Sequence, residues 1–495
     1  MKGLLHVFNW LTKSEKGILL MLFLYAFFVR LPFFFRDYID RDESTFILMG
    51  QSWVDGNLPF IELWDIKPPL TFFFFAVPIY LFGKSFIAIR LMGVFFVTVS
   101  SFYTYKFTLA NNSKRTALFI GLLTVALQSM FGSLQGVMSE HISMAFLVPA
   151  IWMLTKKDLP FWGFLVTGLL IGCALMVKLN LAYVGLFIGL TIIYSEYQKN
   201  KTLSTLLKPI LYGLGIILVI VLTFLPYYFN DLGELWWKSV IKAPLAYADA
   251  RQYSSIKLLL YLLPFVAILI IGWQKKVLTY KNQSALLLSI ATLGTLLAFF
   301  KSGRVNGHYL LLIYSFILPL LAFIISKLVK YSFSRAPLFV SFLFLLIPIE
   351  SYLEYNAVIK NKIENTTFYN GEGFTVPNYF IKNKLDKEKV LYLEYHIGYW
   401  VMGVNPPTKS ATQPSNILKD EMFFAYNNPR NTAEDELQYI LEDFKPNYII
   451  TRKNRRVFDK KEIAVNFYMN LQLLQKYIPL DTIDNAIIHK RLEIK

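Results

Sequence analysis

Long runs of Phe, Leu, Ile and Val, separated by short polar stretches, set the pattern of this chain. The first run is Gly17–Phe35, and others follow at about Ala88–Phe107, Thr116–Met130, Ile142–Leu154, Phe161–Val177, Ala182–Tyr194 and Ile210–Phe229. Four more lie at about Leu258–Trp273, Ala285–Phe300, Leu310–Ile325 and Pro337–Tyr352. A helix needs about 20 apolar residues to cross a bilayer core. These runs predict a polytopic α-helical membrane protein with about eleven transmembrane helices, the shorter ones tilting or extending into their flanks. Leu70–Phe82, at thirteen residues, reads as a re-entrant or interfacial helix rather than a full crossing. Gly17–Phe35 is longer than a signal-peptide core and reads as a retained first helix.

Beyond Leu353 the pattern changes. Val390–Glu394 and Tyr448–Thr451 read as short buried strands, Ala433–Phe444 and Ala464–Tyr477 as helices, and Asn485–His489 as a last strand. Asn431, with Glu434 three residues on, has the spacing of a helix-capping pair. Strands alternating with helices predict a small C-terminal α/β domain over residues 354–495, after a membrane region over residues 1–353 whose first outer loop is 36–87.

Composition agrees with the class: 55% of the 495 residues are hydrophobic, only 17% are charged, and mean hydropathy is +0.45. The net charge of +17 sorts by loop. With the N-terminus inside, the inner loops carry seventeen Lys and Arg against Glu15, Asp158 and Glu196, while the rest of the membrane region has thirteen basic and twelve acidic residues. Lys and Arg are retained on the cytoplasmic side, so the excess charge reports topology and not nucleic-acid binding. An odd span count places the C-terminal domain, and the loop 36–87, outside the cell inner membrane. The single cysteine, Cys173, excludes an intramolecular disulfide.

That first outer loop concentrates charge. Asp37, Asp40, Asp42, Glu43, Asp55, Glu62 and Asp65 fall there with Arg41 and Lys67, and ionisable groups at a bilayer boundary are costly unless paired, solvated or used. Further acids and cations sit at other outer helix ends: Glu140 in VMSEHIS, Lys178 in LMVKLN, Arg251 in ADARQY, and Arg304, His308 and Tyr309 in KSGRVNGHYLLL. Carboxylates on one wall, with Lys, Arg and Tyr on another, suit a reaction that deprotonates a nucleophile while an anion such as phosphate departs. No histidine or acid cluster has metal-ligand spacing, so metal-independent chemistry without a cofactor is expected. Plainer readings stand beside these: Lys67 pairing with Asp65 or Glu62, Lys178 snorkelling from a helix end, and Trp236 and Trp237 in an aromatic belt.

The pieces RDESTFILMGQSWVDGNLPFIELWDIKPPL, VMSEHIS, GLLIGCALMVKLNL and GRVNGHYLLLIYSFILPL resemble the GT-C fold membrane glycosyltransferases that use polyprenyl-phosphate sugars, such as the protein O-mannosyltransferases and the aminoarabinose lipid A transferases. In the tail the resemblance rests on YHIGYWVMGVNPPT and FKPNYIIT. It implies that Asp42, with Glu43 beside it, is the catalytic carboxylate that takes the acceptor proton, and that transfer inverts the anomeric carbon. It implies that Lys67 contacts the lipid phosphate and that Arg304 and Tyr309 stabilise it as it departs. Asp65 sits where some relatives have an acid directly before the lysine, but Ile66 intervenes here. Glu140 matches an acid that orients site residues. The expected partners are an undecaprenyl-phosphate-linked sugar and a lipid, glycan or protein acceptor at the outer face of a bacterial inner membrane. A lipid-linked sugar flippase is the alternative, although the charges gather at one face and not at mid-helix. A non-catalytic envelope-assembly subunit is the other alternative, and it needs neither the acid cluster nor the cations.

Overall fold

The computed structural model describes residues 11–199, 206–250, 252–304, 306–328, 344, 346–426, 428–458 and 461–492. They form two compact units. One is drawn from the described residues of Met1–Pro32, Arg90–Leu225 and Ala248–Glu354, the other from those of Phe33–Ile89, Pro226–Tyr247 and Tyr355–Lys495.

Among the described residues, seven helices are long and apolar enough to cross a membrane: Glu15–Phe35, Phe86–Leu109, Leu179–Gln198, Leu207–Tyr228, Ser255–Gln274, Gln283–Ser302 and Gly307–Leu328. Lys114–Leu127, Ser139–Met153 and Phe161–Val177 are helices of 14, 15 and 17 residues. Half of the run expected at Pro337–Tyr352, residues 337–343 and 345, lies outside the described residues.

In the first unit, polar side chains start the helices. Ser14 Oγ accepts from Gly17 N at 3.0 Å, and Ser113, Ser254 and Asn282 cap their helices in the same way, each taking one of the N–H groups that a helix leaves unpaired. Met144, Leu147, Ile171, Val184, Phe299 and Phe316 lie in its core. Helices Phe161–Val177 and Leu207–Tyr228 touch backbone to backbone at Gly168 and Gly215, where an added Cβ would strike Tyr212 O and Leu165 O respectively. Small residues allow that approach where lipid supplies no hydrophobic drive between helices.

In the second unit, helix Arg41–Val54 packs along helix Pro69–Phe82, with Phe46 against Phe72 and Phe75 at ring-centroid distances of 6.2 and 5.5 Å. The short helix Gly233–Trp237 runs into a π-turn, Lys238–Lys242, where Ser239 Oγ accepts from Trp64 Nε1 at 2.9 Å. Trp236 is buried here and Trp237 is exposed, so only Trp237 is free to serve the belt expected of both.

The rest of this unit holds a four-stranded sheet of β1 (Val390–Tyr392), β2 (Tyr448–Arg452), β3 (Tyr477–Ile483) and β4 (Ala486–Arg491) in the order β1-β2-β4-β3. β1 and β2 are parallel and the other pairs antiparallel. Leu391, Ile440, Leu441, Ile449 and Met469 form its core. Two expectations are corrected here. The cap before Ala433 is Thr432, extended at φ −131° and accepting from Asp435 N at 3.1 Å, and not Asn431. Tyr477 begins a strand rather than ending a helix, because Asp484, at φ +53°, turns the chain back so that β3 pairs with β4.

Candidate functional site

Asp40 caps helix Arg41–Val54, its Oδ1 accepting from Asp42 N at 2.8 Å, which places Asp42 and Glu43 in the first turn. The unpaired N–H groups and the dipole of a helix start favour negative charge there. Glu43 turns inward and is 1% exposed. Asp42 remains partly open, its side chain 21% exposed.

Lys67 is aimed at Asp42 by its neighbours. A residue before proline is driven to extended backbone. Pro68 and Pro69 follow Lys67, and Pro69 opens the helix Pro69–Phe82. Asp65 Oδ1 accepts from Lys67 N at 3.2 Å, closing the turn. The Lys67 ammonium then lies 3.3 Å from Asp42 Oδ2 and 5.4 Å from the centre of the Phe46 ring. Lys67 therefore gives its backbone N–H to Asp65 and its charge to Asp42. Glu62 is engaged elsewhere, accepting from Ser52, Asn57 and Asn405. Asp65 is buried, and burial raises its carboxyl above the ordinary range, with Lys67 opposing and Asp42 adding to the shift.

The same unit supplies partners that the sequence motifs miss. Gln413 Nε2 donates to Asp42 Oδ1 at 2.7 Å. Arg41 pairs with Glu394 at 2.7 Å, and Thr45 Oγ1 meets His396 Nε2 at 3.0 Å. Burial pushes His396 down to about 3, so its imidazole is neutral at physiological pH. The quoted stretch YHIGYWVMGVNPPT contains His396 and stops five residues before Gln413; no spacing rule links either residue to Asp42.

The first unit brings together four other expected residues. Glu140 opens helix Ser139–Met153, and Lys178 ends helix Phe161–Val177. Their Oε1 and Nζ are 2.6 Å apart and nearly unexposed. His308 Nε2 is 3.7 Å from the same oxygen, Ser139 Oγ donates to Glu140 Oε2 at 3.0 Å, and the Lys178 ammonium lies 4.7 Å from the centre of the Tyr309 ring. Lys178 is thus an ion-paired residue and not one that snorkels. The Arg304 guanidinium donates to Ala250 O at 3.0 Å. Arg251 lies outside the described residues. Arg30, which sequence reasoning passed over, is buried and donates to the carbonyls of Gln128, Leu134 and Gly136 at 2.6–3.2 Å. The signal available was an arginine inside the apolar run Gly17–Phe35, where a buried charge needs partners. Among the described residues, no three His, Cys, Asp or Glu side chains gather in a way that could hold a metal ion.

The family described as dolichyl-phosphate-mannose-protein mannosyltransferase matches residues 66–227. Among solved structures, ArnT from Cupriavidus metallidurans bound to undecaprenyl phosphate aligns at TM-score 0.60 and 13% identity, over 97% of this chain and 99% of its own. The same protein in the apo state aligns at 0.60 and 13%, over 96% and 97%. An Archaeoglobus fulgidus oligosaccharyltransferase in the apo form aligns at TM-score 0.43 and 13% identity, over 89% of this chain and 69% of that one. No curated protein matches the chain at a significant level. At 13% identity the likeness to ArnT is one of fold. Over residues 66–227 the chain is similar to the dolichyl-phosphate-mannose-protein mannosyltransferase family, and along nearly its whole length this multi-pass membrane protein has the fold of ArnT, the GT-C fold.

Proposed function

We propose that the protein transfers a sugar from a polyprenyl-phosphate carrier to a hydroxyl of a lipid, glycan or protein acceptor, at the outer face of the membrane and with inversion. The observation that carries this reading is Asp42: a part-exposed carboxylate at a helix N-terminus, fixed by the Gln413 amide at 2.7 Å and set beside the Lys67 ammonium at 3.3 Å. A fixed carboxylate next to one cation offers a proton acceptor and an anchor for a departing anion within a single group of side chains.

In the proposed step the acceptor O–H bond breaks and its proton passes to the Asp42 carboxylate. The freed oxygen bonds to the anomeric carbon on the face opposite the phosphate. The bond from that carbon to the phosphate oxygen breaks, and its electron pair leaves on the polyprenyl phosphate. Lys67 meets the charge that builds on that phosphate, and burial reserves Asp65 for holding the Lys67 backbone. ArnT, which shares the fold, is described bound to undecaprenyl phosphate, and this supports a carrier of that class. The distribution of Lys and Arg supports a cytoplasmic N-terminus and an outer C-terminal region.

Replacing Asp42 by Asn removes the proton acceptor and keeps the shape, so transfer should fall roughly 10²–10⁴-fold. Mass spectrometry of lipids, glycans and proteins from cells with wild-type or Asp42→Asn protein at equal abundance checks this. A sugar-sized mass absent only from the variant names acceptor and sugar class together. Identical profiles would overturn the reading in favour of a transporter or an assembly subunit.

A further inference from the structure

The second contact to Asp42 comes from a stretch that no motif covers. Gln413 is 6% exposed and extended (φ −125°, ψ 115°) between the short turns Ser410–Thr412 and Pro414–Leu418. Its carbonyl accepts from Asn416 N at 2.7 Å, and the neighbouring Thr412 Oγ1 accepts from Trp64 N at 3.4 Å, so its backbone is held on both sides. The amide orientation is also fixed. Ser415 Oγ donates to Gln413 Oε1 at 3.2 Å, which leaves the NH₂ end to donate to Asp42 Oδ1.

We propose that Gln413 is a positioning residue for sugar transfer, a neutral donor that sets the rotation of the Asp42 carboxylate. The inference rests on the reading of Asp42 as the proton acceptor. With Oδ1 on the amide and Oδ2 facing Lys67, the carboxylate plane is set before the acceptor arrives. A hydroxyl then meets a lone pair of fixed direction, which is where a general base gains most from its surroundings. The donor's neutrality matters as well. A second cation at this place would bind the carboxylate more strongly and compete with Lys67 for the phosphate, whereas an amide orients without adding charge. The charged and titratable groups about Asp42 include Lys67 and Asp65 on the loop that leads into helix Pro69–Phe82, Asp40, Arg41 and Glu43 on its own turn, and His396.

Two substitutions of similar shape separate positioning from packing. Gln413→Met removes the donor; kcat should fall roughly ten- to hundredfold, while KM for the donor stays within about twofold. Gln413→Glu sets a second carboxyl against Asp42, and two carboxyls sharing a site raise one apparent pKa. The acid limb of its pH profile should move up by about one unit or more, so that activity lost near pH 6–7 returns near pH 9. The assay adds detergent-solubilised full-length protein to membranes from cells carrying only the Asp42→Asn form, which hold unused donor and unmodified acceptor. The sugar-sized mass gained is followed from pH 5 to 9. If wild-type protein adds no mass, the reading of Asp42 fails and this one with it. If wild-type protein is active and Asp42→Asn silent, an unmoved pH profile in folded Gln413→Glu overturns the role of Gln413 alone. An unchanged kcat in folded Gln413→Met does the same. Should one variant fail to fold, the other decides.

Discussion

The Glu140–Lys178 pair allows a quantitative test of what holds the first unit together. The charged atoms are 2.6 Å apart, with side chains 1% and 7% exposed. At an effective dielectric of about 20, two charges at that distance attract by roughly 6 kcal/mol, offset by the cost of removing both from water. Replacing Lys178 by Met removes only the cation. Glu140 keeps Ser139 Oγ at 3.0 Å and His308 at 3.7 Å, but its carboxylate is left buried without its main counter-charge. Breaking one side of a buried pair costs about 3–5 kcal/mol, while replacing both sides by uncharged groups of similar size is close to neutral. Lys178→Met should therefore lower Tm by roughly 6–10 °C, at about 2 °C per kcal/mol for a unit of this size, and Glu140→Gln combined with Lys178→Met should recover most of that loss. The measurement is thermal unfolding of the detergent-solubilised protein followed by tryptophan fluorescence. A Lys178→Met protein melting within about 1 °C of wild type, or a double variant no better than the single one, would refute the reasoning.

Two further outcomes follow from the second unit. Asp37 is buried and accepts from Gly373 N, and burial raises its carboxyl to about 6 from an ordinary 3.8. The folded state therefore holds a proton that the unfolded chain releases between about pH 4 and 6, so this group's stabilising contribution is full below pH 4 and is lost as pH rises through 6. Comparing Tm from pH 4 to 7 for wild-type protein and Asp37→Asn isolates it, and identical slopes would refute it. Lys67→Ala should raise KM for the lipid-linked donor roughly tenfold or more, as expected for losing a charged contact, with Tm little changed because the Lys67–Asp42 pair is part-exposed. Unchanged KM and turnover in a donor titration would remove Lys67 from phosphate binding.

Legibility from sequence followed the range of the forces involved. The long apolar runs were readable because crossing a bilayer demands length and composition together, whatever the tertiary contacts. The turn that aims Lys67 was readable in part: two prolines after it and Asp65 two residues before it are local constraints. That its charge meets Asp42, 25 positions earlier, and not the nearer Glu62, was decided by the pairing of helices Arg41–Val54 and Pro69–Phe82. β3 was hidden because Pro479 reads as a strand breaker; it is accommodated on the sheet edge, at a register shift between Pro479 and Asp481. Arg30 was hidden because its partners are carbonyls, which no side-chain pattern announces.

The separation of 371 positions from Asp42 to Gln413 carries a consequence for the timing of synthesis. A ribosome adding about 5–20 residues per second needs roughly 20–70 s to pass from one to the other. Through that interval the nascent chain already contains Asp42 and Lys67 but lacks the amide that orients the carboxylate. A product truncated before Gln413 keeps the conspicuous motif and lacks that contact, so on the role proposed for Gln413 partial chains in the membrane would consume carrier lipid at only a small fraction of the full-length rate until translation has run almost to its end.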